Sequence, residues 1–225
     1  MFDKFATYRK HPVEGPEPRW PALISIIAVG LLYLALPHTL IIGPRWLLIV
    51  VVGVLSIPTV FTWRRGYHEA NEILGYALSG VVTLTLIASV ILLVKTLPVH
   101  VESPVALLRS AAALWVTNIL VFALWYWRLD AGGPLRRDLT ACHDRGAFLF
   151  PQMNMTHEAK NKAGEDRWSP MFIDYLFLSF NTSTALSPTD TSVLARWAKC
   201  LMMVQSLISL MIVALLAARA INILQ

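Results

Sequence analysis

The stretch Asp174-Tyr-Leu-Phe-Leu-Ser-Phe-Asn-Thr-Ser-Thr-Ala-Leu-Ser-Pro-Thr-Asp190 separates this chain from a plain bundle of apolar helices. An apolar run ends there in consecutive amide and hydroxyl side chains, just before a long hydrophobic segment. In hydrocarbon, each polar group needs a hydrogen-bonding partner or a water-lined cavity. The stretch therefore predicts a polar path, whose candidate lining residues are Asn181, Thr182, Ser183, Thr184, Ser187 and Asp190. The alternatives are a helix with buried, hydrogen-bonded hydroxyls and, for Ser187 and Asp190, helix capping, which we favour at these two positions.

The composition predicts that lipid surrounds most of the chain. Of 225 residues, 56% are hydrophobic and 15% are charged, whereas soluble domains carry about 25% charged residues. A helix of about 20 apolar residues crosses a bilayer. Five windows free of Lys, Arg, Asp and Glu have this length, and they lie between Arg19 and Arg45, Arg45 and Arg64, Glu72 and Lys95, Arg109 and Arg128, and Lys199 and Arg219.

These windows predict an all-α, polytopic membrane helix bundle with five spans. Residues 170–187 form a sixth, polar element that either crosses the membrane or is re-entrant, and we treat it as crossing. The predicted organisation is a cytoplasmic tail, a four-helix membrane region, a polar cytoplasmic loop, and a polar helix followed by the last transmembrane helix, at residues 1–20, 21–127, 128–169 and 170–225.

The basic residues predict an orientation rather than a nucleic-acid site. The formal net charge is +5, but the cations are dispersed among short segments instead of clustered on one face. Cytoplasmic segments of membrane proteins are rich in Lys and Arg. The tail carries Lys4, Arg9, Lys10 and Arg19, which places the N-terminus in the cytoplasm. The C-terminus is also cytoplasmic if residues 170–187 cross, and lies outside if they are re-entrant.

The final segment resembles the pore region of tetrameric potassium channels, in which an Asp-containing pore helix leads through Ser and Thr into a Gly-Tyr-Gly-Asp filter and an inner helix. Matching positions are Asp174, Ser179, Thr182, Thr184 and Asp190. The filter departs from the family, because residues 187–189 are Ser-Pro-Thr. Glycines let the backbone aim carbonyl oxygens at the ion, whereas Pro188 fixes its own backbone angle. Potassium channels also place the preceding loop outside, opposite to the charge-based orientation.

A longer resemblance covers most of the second half. It rests on Trp125-Tyr-Trp-Arg-Leu-Asp130-Ala-Gly-Gly-Pro, Phe148-Leu-Phe-Pro-Gln152, Asp174-Tyr-Leu, Ser187-Pro-Thr-Asp190 and Ala218-Arg-Ala-Ile-Asn222-Ile-Leu. This pattern resembles a family of uncharacterised bacterial inner-membrane proteins. The resemblance implies a multi-pass protein of the bacterial inner membrane, and it implies no catalytic residues.

Three further polar residues interrupt predicted spans. Gln205 and Ser209 lie one turn apart in the last span, and Asn118 lies in the fourth. Such residues are typical of helix contacts, and a polar cavity is the alternative. We expect helix contacts, with Asn118 facing the polar run at 181–184.

Catalytic and metal-binding patterns are weak. The His68-Glu-Ala-Asn-Glu72 pattern lacks the second histidine of a metalloprotease. Irregular spacing argues against a metal site formed by Cys142, His143, Asp144, His157 and Glu158. Cys142 and Cys200 are expected to be free thiols. The sequence thus predicts no enzyme, no cofactor and no metal, although a membrane enzyme remains a third alternative.

Two functions remain open. The first is a channel-like or transporter-like protein with a polar path at 181–190, whose transported ion is unknown. The second is a non-catalytic membrane scaffold or accessory subunit. Few polar residues lie at membrane depth, so a hydrated path would need several copies, and a homo-oligomer is the expected assembly. The lipid bilayer is the other partner.

Overall fold

The computed structural model describes residues 17–65, 68–96, 103–139, 146–164, 168–184 and 190–224. The side chains of residues 63–64, 68, 139, 157 and 219–224 are not described. Within these ranges the chain forms α1 (Trp20–Leu34), α2 (Trp46–Arg65), α3 (His68–Thr96), α4 (Pro104–Leu129), α5 (Pro134–Leu139), β1 (Phe148–Leu149), α6 (His157–Ala163), α7 (Phe172–Thr184), β2 (Ser192–Val193) and α8 (Arg196–Leu224).

Local sequence explains where several helices begin and end. Ser103 caps α4 because its Oγ accepts a hydrogen bond from the Ala106 amide at 3.2 Å, and Pro104 follows at a position that needs no amide donor. Thr156 caps α6 in the same way. Gly164 ends α6 in the left-handed conformation, with φ 74°.

The bundle is built around α4. It packs against α1, α3, α7 and α8, and its buried side chains include Leu107, Leu114, Val121 and Phe122. The all-α prediction is confirmed, with one antiparallel pair of two-residue strands, β1 and β2, as the exception among the described residues.

Not all of the five predicted spans are helices long enough to cross a membrane. Within the described residues, α3, α4 and α8 are long and apolar enough to cross a membrane, whereas α1 and α2 are shorter apolar helices. Helix α1 has 15 residues, which correspond to about 22 Å of rise. The structure therefore contains three helices of membrane-crossing length and composition, fewer than the five predicted.

Helix α7 begins at the end of the bundle where α4 finishes, which we call the Asp130 end. The Phe172 ring lies 5.8 Å from the Trp127 ring, and the Tyr175 hydroxyl donates to Asp130 Oδ2 at 2.7 Å. Further along, two hydrogen bonds join α7 to α8. Gln205 Nε2 donates to Ser179 Oγ, and the Ser209 hydroxyl donates to the Ser183 carbonyl. Because residue numbers rise together, the two helices run in the same direction.

By Ser192 the chain is back at the Asp130 end. Ser192 and Val193 pair with Leu149 and Phe148, and the neighbouring Ala147 amide donates to Asp130 Oδ1 at 2.5 Å. Helix α7 has 13 residues, about 20 Å of rise, and Ser183 at its inner end lies beside the middle of the 29-residue α8. Helix α7 therefore reaches about half the length of α8, and both helices begin at the Asp130 end.

Between α4 and α7, residues 148–150 pack onto this end of the bundle. Phe148 is 1% exposed, and its ring centroid lies 5.3 Å from that of Tyr126 and 6.2 Å from that of Tyr175. The apolar Phe148–Pro151 run thus becomes part of the core that holds α4, α7 and α8 together.

Candidate functional site

Gln205 is the centre of a buried polar network between α4, α7 and α8. Its Nε2 lies 2.8 Å from both the Ser179 carbonyl oxygen and the Ser179 Oγ, and 2.7 Å from Ser183 Oγ. Its Oε1 accepts a hydrogen bond from the Tyr126 hydroxyl. The Gln205 side chain is 0% exposed, so both ends of its amide are satisfied by protein groups.

Asn118 joins the same network from α4. Its Nδ2 lies 3.3 Å from the Gln205 carbonyl oxygen and 3.5 Å from Ser183 Oγ. Its Oδ1 is buried and has no hydrogen-bond partner among the described residues. The predicted pairing of Asn118 with the 181–184 run thus occurs through Ser183.

The third sequence candidate for a helix contact, Ser209, also belongs to the network. Its hydroxyl donates to the Ser183 carbonyl and accepts a hydrogen bond from Trp115 Nε1 at 3.1 Å. On the next turn toward the Asp130 end, the Ser179 hydroxyl donates to the Ile119 carbonyl at 2.7 Å. Asn118, Gln205 and Ser209 therefore form helix contacts, as the sequence predicts.

The candidate path-lining residues divide into three groups. Thr182 and Ser183 are buried toward the bundle interior, and Thr182 Oγ1 donates to the Leu178 carbonyl of its own helix at 2.8 Å. Asn181 and Thr184 are partly exposed, with Thr184 Oγ1 donating to the Asn181 carbonyl at 3.0 Å. The remaining two lie beyond α7: Asp190 is exposed just before β2, and Ser187 lies outside the described residues.

Sequence reasoning missed two aromatic members of the network, Tyr126 and Trp115. A signal was available, because residues 115, 118, 119, 122 and 126 recur at helical spacing on one face of α4. Their polar atoms reach α8, and this explains how a mostly apolar helix holds buried amides. Ser179 was noted only as a channel-like position, yet its backbone and side chain together anchor Gln205.

A second buried site, also missed, surrounds Asp130. This residue is 0% exposed, and its carboxylate accepts hydrogen bonds from the Ala147 amide and the Tyr175 hydroxyl. Ala131 follows in the left-handed region at φ 50°, and Gly132 and Gly133 have φ of 78° and 92°. Asp130, Ala131, Gly132 and Gly133 thus form a tight turn that holds a buried carboxylate.

Ion pairs tie the segment before α1 to α5 at the same end. Arg137 pairs with Glu17 at 3.0 Å, and Arg19 pairs with Asp138 at 2.5 Å. Glu17 also accepts from Trp127 Nε1 at 2.5 Å. Burial lowers the pKa of the Arg19 guanidinium, and the neighbouring carboxylates of Asp138 and Glu17 oppose that shift.

In the part of the chain that the structure describes, no group of three or more His, Cys, Asp or Glu residues is placed to hold a metal ion. Glu72 accepts a hydrogen bond from the Tyr76 hydroxyl, and Glu158 is exposed. Cys200 is an exposed free thiol. The candidate residues Cys142, His143 and Asp144 lie outside the described ranges, as do the side chains of His68 and His157.

An apolar groove separates α4 from α7 on the outer surface. It encloses about 450 Å³, and its lining carries no polar surface. The lining side chains include Trp115, Ile119, Phe177 and Phe180. Phe177 is 65% exposed, so α7 presents one polar face inward and one apolar face outward.

These sites can hold helices together and present a short, half-length polar helix inside the bundle. Comparison of the chain with protein-family models, with curated proteins and with solved structures finds no match.

Proposed function

We propose that this chain is a multi-pass membrane protein in which α4, α7 and α8 form a channel-like re-entrant unit. The observation that carries the proposal is the half-length α7, which runs parallel to α8 and antiparallel to α4. The pairing of β2 with β1 supports it, because that pairing brings the chain back to the end at which α7 entered.

Membrane physics connects this geometry to an ion path. Non-helical backbone at membrane depth is tolerated only where it is buried in protein or lines a water-filled cavity. The last carbonyl groups of a helix lack intrahelical partners, and the C-terminal end carries a partial negative charge. A helix that ends at mid-depth therefore favours a cation near Thr184.

The division of polar residues indicates which of them border the path. Ser183 Oγ accepts hydrogen bonds from Gln205 and Asn118, so we assign this residue to helix packing and not to the path. Asn181 and Thr184 keep partly exposed side chains at the inner end of α7, and Asp190 is exposed at the Asp130 end. We therefore place the path along Asn181, Thr184 and Asp190, with residues 185–189 included by their position in the sequence.

In this proposal α1–α4 and α8 are five spans of a bacterial inner membrane, the N-terminus is cytoplasmic, and the protein is not an enzyme. The outward face of the helices supports immersion in lipid, since Ile57, Leu84 and Leu210 are 72%, 69% and 66% exposed. Several copies of the chain enclose the path, because one re-entrant element cannot surround an ion.

The test is ion flux through purified protein in liposomes, comparing potassium, sodium and protons. We expect the double variant Asn181→Leu, Thr184→Val to lower flux of the conducted cation at least about tenfold, since it removes the polar groups that replace water around the ion. The matched control is Ser206→Ala, which removes a hydroxyl that only reaches the Thr182 carbonyl at 3.4 Å. Equal flux in the double variant and the control would contradict the proposed path.

A non-catalytic membrane scaffold or accessory subunit is the second candidate function. The network around Gln205 favours it, because the Gln205 amide and the Tyr126 and Ser209 hydroxyls all donate to groups within the protein. Absence of flux for every ion, in protein that is folded and inserted, would favour the scaffold over the channel.

A further inference from the structure

Arg128 lies at the interface of α3 and α4 in a notch made by a glycine. A Cβ atom added to Gly75 would lie 1.7 Å from Arg128 Nη1 and 2.5 Å from its Cζ, so the guanidinium occupies the space that any larger residue would fill. The side chain is partly buried, and its Nε is sealed from solvent without a hydrogen-bond partner among the described residues.

Aromatic rings surround this cation, and a second guanidinium lies nearby. The Arg128 Cζ lies 5.6 Å from the centroid of the Trp127 ring, and the Arg19 Cζ lies at the same distance from that ring. Tyr76, next to the notch, stacks on Trp125 with a centroid distance of 6.3 Å and donates its hydroxyl hydrogen to Glu72. Cation–π contacts stabilise a guanidinium but leave its charge uncompensated.

The nearby carboxylates are already engaged. Glu17 is bonded to Arg137 and Trp127, Asp138 to Arg19, and Asp130 to Tyr175 and Ala147. No carboxylate of the described residues forms a salt bridge with Arg128. Partly burying a charge without a counter-ion costs free energy, so an anion from outside the described protein would complete the site.

We propose that Arg128, in the Gly75 notch, binds the phosphate of an anionic phospholipid headgroup. The chemistry is a planar guanidinium facing a phosphate, for which Arg is well suited. The location favours a lipid over free phosphate, because Arg128 stands one residue before the end of α4 among Tyr76, Trp125 and Trp127. Interfacial aromatics and basic pockets between helices are typical of headgroup sites.

This inference rests on the membrane part of the proposed function and not on the ion path. If the chain does not insert into liposomes, the membrane proposal fails before the lipid site is measured. If it inserts and conducts but shows no headgroup preference, only the lipid site fails.

The experiment measures lipids retained by the purified full-length chain in detergent, by native mass spectrometry. Phosphatidylglycerol is titrated, with phosphatidylcholine and inorganic phosphate as separate arms. We expect Arg128→Gln to weaken phosphatidylglycerol binding about tenfold, because a charge-assisted phosphate contact is lost. Gly75→Ala should have a similar effect without removing a charge, since its methyl group displaces the guanidinium.

Arg65→Gln is the matched control, because Arg65 also stacks on a ring, Phe61 at 4.4 Å, but is exposed. It should bind phosphatidylglycerol like the unchanged chain. If Arg128→Gln does not fold, phosphatidylglycerol binding is measured in Arg128→Lys and Gly75→Ala instead. Equal retention of phosphatidylglycerol and phosphatidylcholine, or binding of inorganic phosphate as tight as that of the lipid, would overturn the proposal.

Discussion

At the scale of single residues, Gln205 does the most to hold α7 against α8. One amide bonds to the backbone and hydroxyl of Ser179, to Ser183 and to Tyr126, all of them buried. In a low-dielectric interior such bonds are strong, and each unsatisfied group that a substitution leaves behind is costly. Gln205 thus links α7 to both α8 and α4.

We expect Gln205→Leu to lower the free energy of unfolding by about 2 kcal/mol, because Ser183 and Tyr126 lose partners in a site that water does not reach. Ser206→Ala, one residue further and partly buried, should change it by less than about 0.5 kcal/mol. Chemical unfolding in detergent measures both. A loss no larger in Gln205→Leu than in Ser206→Ala would show that the network contributes nothing to stability.

At the scale of elements, the turn after α4 directs the chain toward β1 and thereby fixes where α7 and α8 begin. Gly133 has φ 92° and ψ 170°, a conformation that is essentially restricted to glycine. A Cβ there would also lie 2.9 Å from the Arg128 carbonyl oxygen. The turn positions Asp130 so that its carboxylate reaches both Ala147 and Tyr175.

Gly133→Ala should therefore destabilise the protein by about 2 kcal/mol, through backbone strain and the close carbonyl contact. Gly164→Ala is the comparison, since Gly164 has φ 74° and ψ 18°, a region that other residues can enter, and a Cβ there would meet no atom within 4 Å. We expect about 1 kcal/mol for Gly164→Ala. Thermal unfolding of the two variants compares them, and equal losses would contradict the extra strain and the close carbonyl contact at Gly133.

At the scale of the whole molecule, the proposed re-entrant arrangement of α7 changes the side on which α8 ends. With five spans and a cytoplasmic N-terminus, the end of α8 lies outside, whereas a sixth crossing would bring it back to the cytoplasm. The direction shared by α7 and α8 is the structural basis for the first arrangement.

Alkaline phosphatase, which is active only outside the cytoplasm, distinguishes the two topologies in bacterial cells. We expect activity when the reporter is fused after Gln225 and none when it is fused after Ala163, in the segment between α4 and α7. An inactive reporter at Gln225, in protein that is expressed and membrane-bound, would mean that α7 crosses.

The sequence by itself determined the helical class, the position of each apolar helix and the polar character of residues 181–184. These properties are local, since hydropathy and capping act within a few turns of one helix. It also identified Asn118, Gln205 and Ser209 as contact residues, because lone polar groups in apolar helices need partners.

Only the tertiary structure decided the direction of α7, the burial of Asp130 and the hydrogen bonding of Ser183 within the bundle. Each depends on residues far apart in the chain: Phe148 pairs with Val193, Asp130 accepts from Tyr175, and Ser183 meets Asn118. A charge-free window has the same composition whether its helix runs up or down, so hydropathy does not distinguish a crossing from a return. The strand pair and the turn at Gly133 supply that distinction through hydrogen bonds and backbone geometry.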